Sequence, residues 1–288
     1  MAGLVYFGTG DKQSWIKAPA SGMRANMQGW GADNQLLNGR AFVKRSAASH
    51  RRFEASWLGS YNSNEEASLQ NIANYAMGLY GDGPYYFVDP FAANQNVMPP
   101  HWAAPMLTVT DWPSLAKGLP VSFNISAINN SFPMKYASYT TTDAYESTNK
   151  LTLIIPTGYK LAFGWHGPAT GSTTGVRIVP YLRSTGLADT AVNPTKITAG
   201  GTVRTNTTIS GTTYSKVEIF LATTTASTLN ITAMMAQIIP TASSVASGGF
   251  IAGKGTTALE FLQTPTIEYM SSAINSGQIG MAATWVEV

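Results

Sequence analysis

Phe163-Gly164-Trp165-His166-Gly167-Pro168 sets two aromatic rings and an imidazole beside a glycine-rich turn, and Tyr181 and Arg183 follow close behind. Aromatic faces stack on pyranose rings, and imidazole and guanidinium groups hold hydroxyls. Trp165, His166, Tyr181 and Arg183 are therefore the candidate glycan contacts. The alternative is that Trp165 is core, since large aromatics usually bury. A second cluster is basic: Lys44, Arg45, His50, Arg51 and Arg52. It suits contact with a polyanion or an acidic partner face, or else a charged sheet edge that blocks unwanted pairing.

Other patterns fail their chemical tests. Gly248-x4-Gly253-Lys254 begins like a phosphate loop, but Gly255 stands where a magnesium-binding Ser or Thr is needed, and no helix is expected after it. A hairpin is expected there instead. Gly171-Ser-Thr-Thr-Gly175 lacks the spacing of a nucleophile elbow. His50, His101 and His166 show no metal-ligand spacing, and Glu65 and Glu66 point away from each other on a helix. The expectation is a protein without catalytic residues, metal or cofactor.

The elements around these residues read as mainly β. Residues 60–90 are the most legible stretch. Ser63 and Glu66 form a capping box, and Leu69, Ile72, Ala73, Ala76 and Tyr80 recur at helical spacing. Gly81 and Gly83 predict the stop, giving one helix over about 63–80. Tyr85–Val88 then reads as a buried strand. Asn38-Gly39, between Gln35-Leu36-Leu37 and Ala41-Phe42-Val43, is the strongest hairpin signal.

Five prolines and two tryptophans, Trp102 and Trp112, fall within residues 91–120. That density predicts an extended arm lying on other surfaces through its aromatics. Strands are expected at 121–127, 151–155, 161–165, 176–182, 214–221 and 229–239. Pro180 argues for an edge or a bulge, and Val217, Ile219 and Leu221 for one apolar face. The expected division is residues 1–114, including the arm at 91–114, then a β-sandwich at 115–245. Terminal strands at 246–288 either complete that sandwich or rejoin the first part.

Composition narrows the class. Only 11% of the 288 residues are charged, against 44% apolar, which suits surfaces covered by neighbouring subunits. A net charge of +3 is too mild for a polyanion binder, and the absence of cysteine excludes disulfides and thiolate metal sites. The N-terminus lacks the pattern of a signal peptide, and no apolar run is long enough to cross a membrane.

Three segments together carry a resemblance. They are the helix with Gly81–Pro90, then Asn96-Val-Met-Pro-Pro-His-Trp-Ala-Ala-Pro105, and an ending with Gly253-Lys-Gly255, Leu259-Glu-Phe261, Pro265, Tyr269 and Val286-Glu-Val288. In combination they resemble minor tail proteins of distal-tail type from long-tailed bacteriophages of actinobacteria. The middle of the chain is similar in general character to galactose-binding-like, jelly-roll sandwiches. The resemblance implies an N-terminal β-barrel or sandwich that forms a homo-oligomeric ring, often of six subunits, with a peripheral sandwich. It implies a place in the virion tail tip after assembly in the host cytoplasm. Tail tube and tail-tip hub proteins would be the partners, with host cell-wall glycan a further contact. Lys44, Arg45, Arg51, Arg52, Trp102 and Trp112 are the candidate subunit contacts. Two other readings stay open: a carbohydrate-binding module without catalysis, and a tail-tube or capsid-decoration subunit.

Overall fold

The computed structural model describes residues 4–19, 23–28, 31–35, 41–45, 50–60, 63–88, 90–103, 121–122, 137–141, 150–198, 204–221, 227–245, 251, 253–256, 258–269 and 278–288. For residues 23–50 and 59–68 the backbone alone is described. In chain order the elements are β1 (Leu4–Thr9), β2 (Gln13–Lys17), β3 (Met23–Gln28), β4 (Gly31–Gln35), β5 (Ala41–Arg45), β6 (His50–Ser60), α1 (Ser63–Ala76) and β7 (Tyr85–Val88). Then come α2 (Pro90–Ala93), α3 (Pro100–Ala103), β8 (Val121–Ser122), β9 (Ala137–Thr141), β10 (Lys150–Ile154), β11 (Tyr159–His166), β12 (Val176–Leu182) and β13 (Thr207–Ser210). The chain ends with β14 (Tyr214–Leu221), β15 (Ser227–Ile231), β16 (Ala233–Pro240), β17 (Leu259–Phe261), β18 (Ile267–Tyr269) and β19 (Gln278–Glu287). The class is mainly β, of sandwich type, with α1 the single long helix among the described residues.

The chain divides into two units, Met1–Tyr85 with Ala258–Val288, and Tyr86–Thr257. The second is thus an insertion in the first. Residues 90–103, expected in an arm of the first part, belong to the second unit, and residues 258–288 return to the first.

Unit 1 is a sheet in the order β2-β1-β7-β17-β19-β6-β3, with β18 beside β19. β7 enters it through Tyr85, the register partner of Leu259. α1 packs on one face because its stripe is apolar: Leu69, Ile72, Ala73 and Tyr75 are buried. Under it lies an aromatic core. Phe7 meets Tyr75 edge-on at 5.4 Å, stacks on Tyr85 at 5.8 Å, and touches Phe261 and Trp285. Trp285 in turn meets Trp57 at 6.4 Å. The Tyr85 hydroxyl donates to Tyr75 O at 2.6 Å, tying strand to helix.

α1 ends at Ala76 rather than near residue 80. Gly78 takes the left-handed conformation, φ 73°, and Leu79 N–H reaches back to Asn74 O at 2.9 Å. That is a Schellman stop, and it falls at the first available glycine, not at Gly81. Tyr80 then folds back, its hydroxyl donating to Asn71 Oδ1 and its ring 4.9 Å from Tyr75. β4 and β5 pair as a hairpin from Gly31↔Arg45 to Gln35↔Ala41. Asn38-Gly39 lies outside the described residues.

Unit 2 holds two three-stranded sheets, β10-β14-β12 and β13-β11-β16, and a third, β15-β9-β8. Alternation puts Leu151, Leu153, Val217, Ile219, Val176 and Ile178 on one face of the first sheet, all buried. Leu161, Phe163, Trp165, Met234, Ala236 and Ile238 share a buried face of the second. Stacked sheets bury such faces. Pro180 does lie on an edge strand, β12, just before a register shift at Tyr181/Leu182. The opposite face of β14 is not solvated as its Lys216 and Glu218 suggest. Glu218 and Phe220 are buried there, with Val179, Tyr181 and Ala191 packed on Phe220.

The second sheet is covered on its other face as well, where Ala162, Ala233, Met235 and Gln237 are all fully buried. α2 and α3 lie against β16, and Val97 N–H donates to Ala236 O at 2.8 Å. Residues 90–103 of the proline-rich segment therefore cover their own sandwich. Pro99 O accepts from Trp102 and Ala103 N–H, which turns the chain into α3 with a proline at the first helical position.

Candidate functional site

The four candidate glycan contacts are not one surface. Trp165 and His166 lie on β11 and are both 0% exposed. Trp165 Nε1 donates to Pro194 O at 2.8 Å, and the Lys196 ammonium sits 5.8 Å over the ring. Trp165 is a post around which the 165–197 loops close, so no ring face is offered to a sugar. Tyr181 lies on β12, in the other sheet. Its hydroxyl donates to Glu218 Oε2 at 2.7 Å, and Lys216 covers its ring at 4.5 Å. Arg183 holds three backbone carbonyls, those of Ile155, Gly211 and Tyr214, at 2.6–3.0 Å. These side chains are spent on the fold, and the glycan assignment to them is corrected accordingly.

His166 carries a consequence for pH. Its Nε2–H donates to Arg204 O at 2.9 Å, and burial pushes its pKa down, against the opposing pull of that hydrogen bond. The folded chain therefore protonates the ring less readily than the unfolded chain, which does so near pH 6.5. The stability that this contributes is full above that pH and is lost as the pH falls below it, at up to about 1.4 kcal/mol per pH unit. Thermal unfolding between pH 7 and 5 should show this slope, reduced in His166→Gln. Identical slopes in the two proteins would contradict it.

The candidate subunit contacts divide in the same way. Trp102 is 2% exposed within unit 2. Its expected role on a partner surface is corrected to core. Arg51 donates to Glu287 from Nε at 2.8 Å and stands 5.5 Å over Phe53. It fastens β6 to β19 and is not offered outward. Arg52 lies 3.1 Å from Glu54 and keeps 35% of its side chain exposed. Lys44 and Arg45 lie on β5, whose backbone alone is described. Trp112 lies outside the described residues.

Sequence reading missed Asn96, a polar side chain of unit 2 that is fully satisfied by hydrogen bonds. Asn96 is fully buried, and its Nδ2 donates to Met234 O and Ile251 O. Its Oδ1 accepts from the N–H groups of Met98 and Ala236. All four hydrogen-bonding positions of an amide are thereby used. Lys254 N–H donates to Asn96 O and Gly255 N–H to Met98 O, so 254–255 runs against 96–98 in place of the expected hairpin. A Cβ at Gly255 would lie 1.6 Å from Val97 O, and one at Gly253 2.3 Å from Met98 O. The glycines flanking Lys254 serve close backbone approach, not phosphate. The available signal was the start of the Asn96–Pro105 motif, which marked the residue without giving its partners.

A cavity of about 20 Å³ lies in unit 2, lined by Tyr86, Val88, Ala92, Val97 and Ile154 among others. That is room for roughly one water molecule, and its walls are mostly apolar. Among the described residues no group of three His, Cys, Asp or Glu side chains could hold a metal. No helix there is long and apolar enough to cross a membrane.

The surface of unit 1 carries exposed apolar side chains of its own. Trp57 and Trp285 point into the aromatic core, so their neighbours Ser56, Leu58, Thr284 and Ala282 face the other way. Leu58 is 63% exposed, and Ser56 and Ala282 are exposed beside it. Leu262, 51% exposed, donates its N–H to Thr284 O and adjoins this area. On the helix side of the sheet, Met77 and Leu79 are 54% and 66% exposed in the turn after α1. Asp82 and Glu260 lie near this turn. Burial first, and then the Asp82 charge, push the Glu260 pKa up. Neither carboxylate has a cation partner among the described residues.

Comparison with protein-family models gives no match, and comparison with curated proteins gives none either.

Proposed function

We propose that this chain is a structural virion protein of a phage tail tip, whose unit 1 closes into a homo-oligomeric ring between tail tube and tip complex. The observation that carries the reading is a pair of unlike apolar patches on unit 1. One holds Met77 and Leu79 on the helix side, and the other holds Leu58, Ala282 and Leu262. A head-to-tail contact joins two different patches of the same subunit, and repeats until rotation closes it. A face-to-face dimer needs only one.

Two further features support it. The segments that resemble distal tail proteins are bonded to one another. Tyr85 pairs with Leu259 in the aromatic core of unit 1, and Asn96 with Lys254 in unit 2. The charged fraction of 11% is that of a protein whose surface is largely meant to be covered. The protein then acts by geometry and burial, without turnover, and the inserted sandwich rides on the ring.

Light scattering over a concentration series tests this. The expected mass is a fixed multiple of the 30.7 kDa chain, near sixfold, reached without a continuous ladder of sizes. A mass of one chain at every concentration would remove the reading.

A further inference from the structure

Two short segments of unit 2, residues 194–197 and 204–206, lie along the end of β11. Ile197 N–H donates to Trp165 O at 2.9 Å, Gly167 N–H returns to Ile197 O at 3.3 Å, and Asn206 N–H donates to Phe163 O at 3.0 Å. A Cβ at Gly164 would lie 2.5 Å from Arg204 O and 3.0 Å from Ile197 Cδ1, so both segments rest directly on the strand. By contrast, β11 stays in register with β16 along its whole length, from Tyr159↔Pro240 to His166↔Ala233. Segments held by few hydrogen bonds open well before a continuous ladder does.

His166 sits at this place, 0% exposed, with its Nε2–H on Arg204 O. That bond survives protonation, so what a proton costs the ring is burial of the charge. The two segments bring Lys196 and Arg204, both cations. β13, β15, β16 and the 167–175 turn carry no ionisable side chain, and α2 and α3, against β16, add only His101. None of these elements supplies a carboxylate. Lys196 is itself 5% exposed, with its ammonium on Thr170 O at 2.8 Å and over the Trp165 ring. A further buried positive charge is relieved here only by admitting water.

We propose that residues 194–197 and 204–206 form an acid-released strap, which lifts from β11 when His166 takes up a proton while the β11–β16 ladder stays formed. Lifting it costs the few bonds above and hydrates both the imidazolium and the Lys196 ammonium. It also takes Pro194 O and Lys196 away from Trp165, so a closed sandwich at neutral pH presents an aromatic ring in acid. The strap lies within unit 2, and the inference is independent of the ring reading.

Hydrogen exchange on the full chain, resolved to single amides by fragmentation in the mass spectrometer, tests it. The amides of Ile197, Gly167 and Asn206 are the reporters. Between pH 7 and pH 5 their exchange, corrected for intrinsic rate, should accelerate by about 10- to 20-fold, the gain from a ring that protonates near pH 6.5 when open and less readily when closed. The β16 amides bonded to β11 should change far less, and His166→Gln should abolish the acceleration. Hydroxyl-radical footprinting should mark Trp165 more heavily at pH 5 than at pH 7. No acceleration at the three amides, an equal acceleration along β16, the same acceleration in His166→Gln, or a Trp165 equally protected at both pH values would overturn the strap. Should His166→Gln fail to fold, the wild-type contrast between strap and ladder decides alone.

Discussion

Asn96→Ala lowers the stability of unit 2 by about 4 kcal/mol, a fall of about 10 °C in its unfolding temperature. The side chain removed is fully buried and makes four hydrogen bonds to backbone. The methyl group left behind satisfies none of the partners. Met234 O, Ile251 O and the N–H groups of Met98 and Ala236 must each find water or stay unpaired, at roughly 1–3 kcal/mol per group. Water entry moderates the sum but opens the cover formed by residues 96–103. Asn96→Asp is the sharper comparison. It keeps the acceptor and replaces the donor Nδ2 by an anionic oxygen facing two carbonyls, so it should be no milder than alanine. Calorimetry on the full chain measures both, and a loss below 1 kcal/mol for either would show that Asn96 is not the fastening point.

Phe7→Ala costs unit 1 about 3–5 kcal/mol, the range for an aromatic deleted from a packed core. Phe7 is 3% exposed and touches Tyr75, Tyr85, Phe261 and Trp285, which come from α1, β7, β17 and β19. No single neighbour can move to fill the space without leaving its other partners. The loss therefore exceeds transfer of the ring alone. It also falls on unit 1, so assembly should fail with it, while Asn96→Ala should leave ring formation largely in place. Phe7→Leu should recover about half of the stability. Equal effects of Phe7→Ala and Asn96→Ala on assembly would contradict the division of labour between the two units.

How much of this was legible depends on whether the information was local. β12 and β14 occupy the spans that the sequence marks, because runs such as Val176–Leu182 and Tyr214–Leu221 admit little else. α1 was legible from its cap and its apolar stripe. Its end was not, because Gly78 and Gly81 both fit a stop, and only the bond from Leu79 N–H to Asn74 O selects the first. The run 229–239 reads as one strand but is parts of two. β15 pairs with β9 and β16 with β11, and Thr232 between them donates its N–H to His166 O. A change of partner leaves no mark on hydrophobicity.

The candidate contacts show the same limit more strongly. Trp165 beside glycines suits an exposed stacking platform and a buried post equally well. The choice depends on Pro194 and Lys196, about thirty residues away. Over the described residues 91–103, proline density rightly excluded long regular elements. It was silent on whether the segment reaches outward or folds onto its own sheet, as 90–103 does. Asn96 reads as an ordinary polar residue until β16 and Ile251 are placed around it.

The central claim is closure of unit 1 into a ring, and electron micrographs of the purified full chain test it most directly. The account predicts class averages with one closed rotational symmetry, a central opening, and one peripheral density per subunit for the inserted sandwich. Single compact particles, or open filaments that never close, would contradict it.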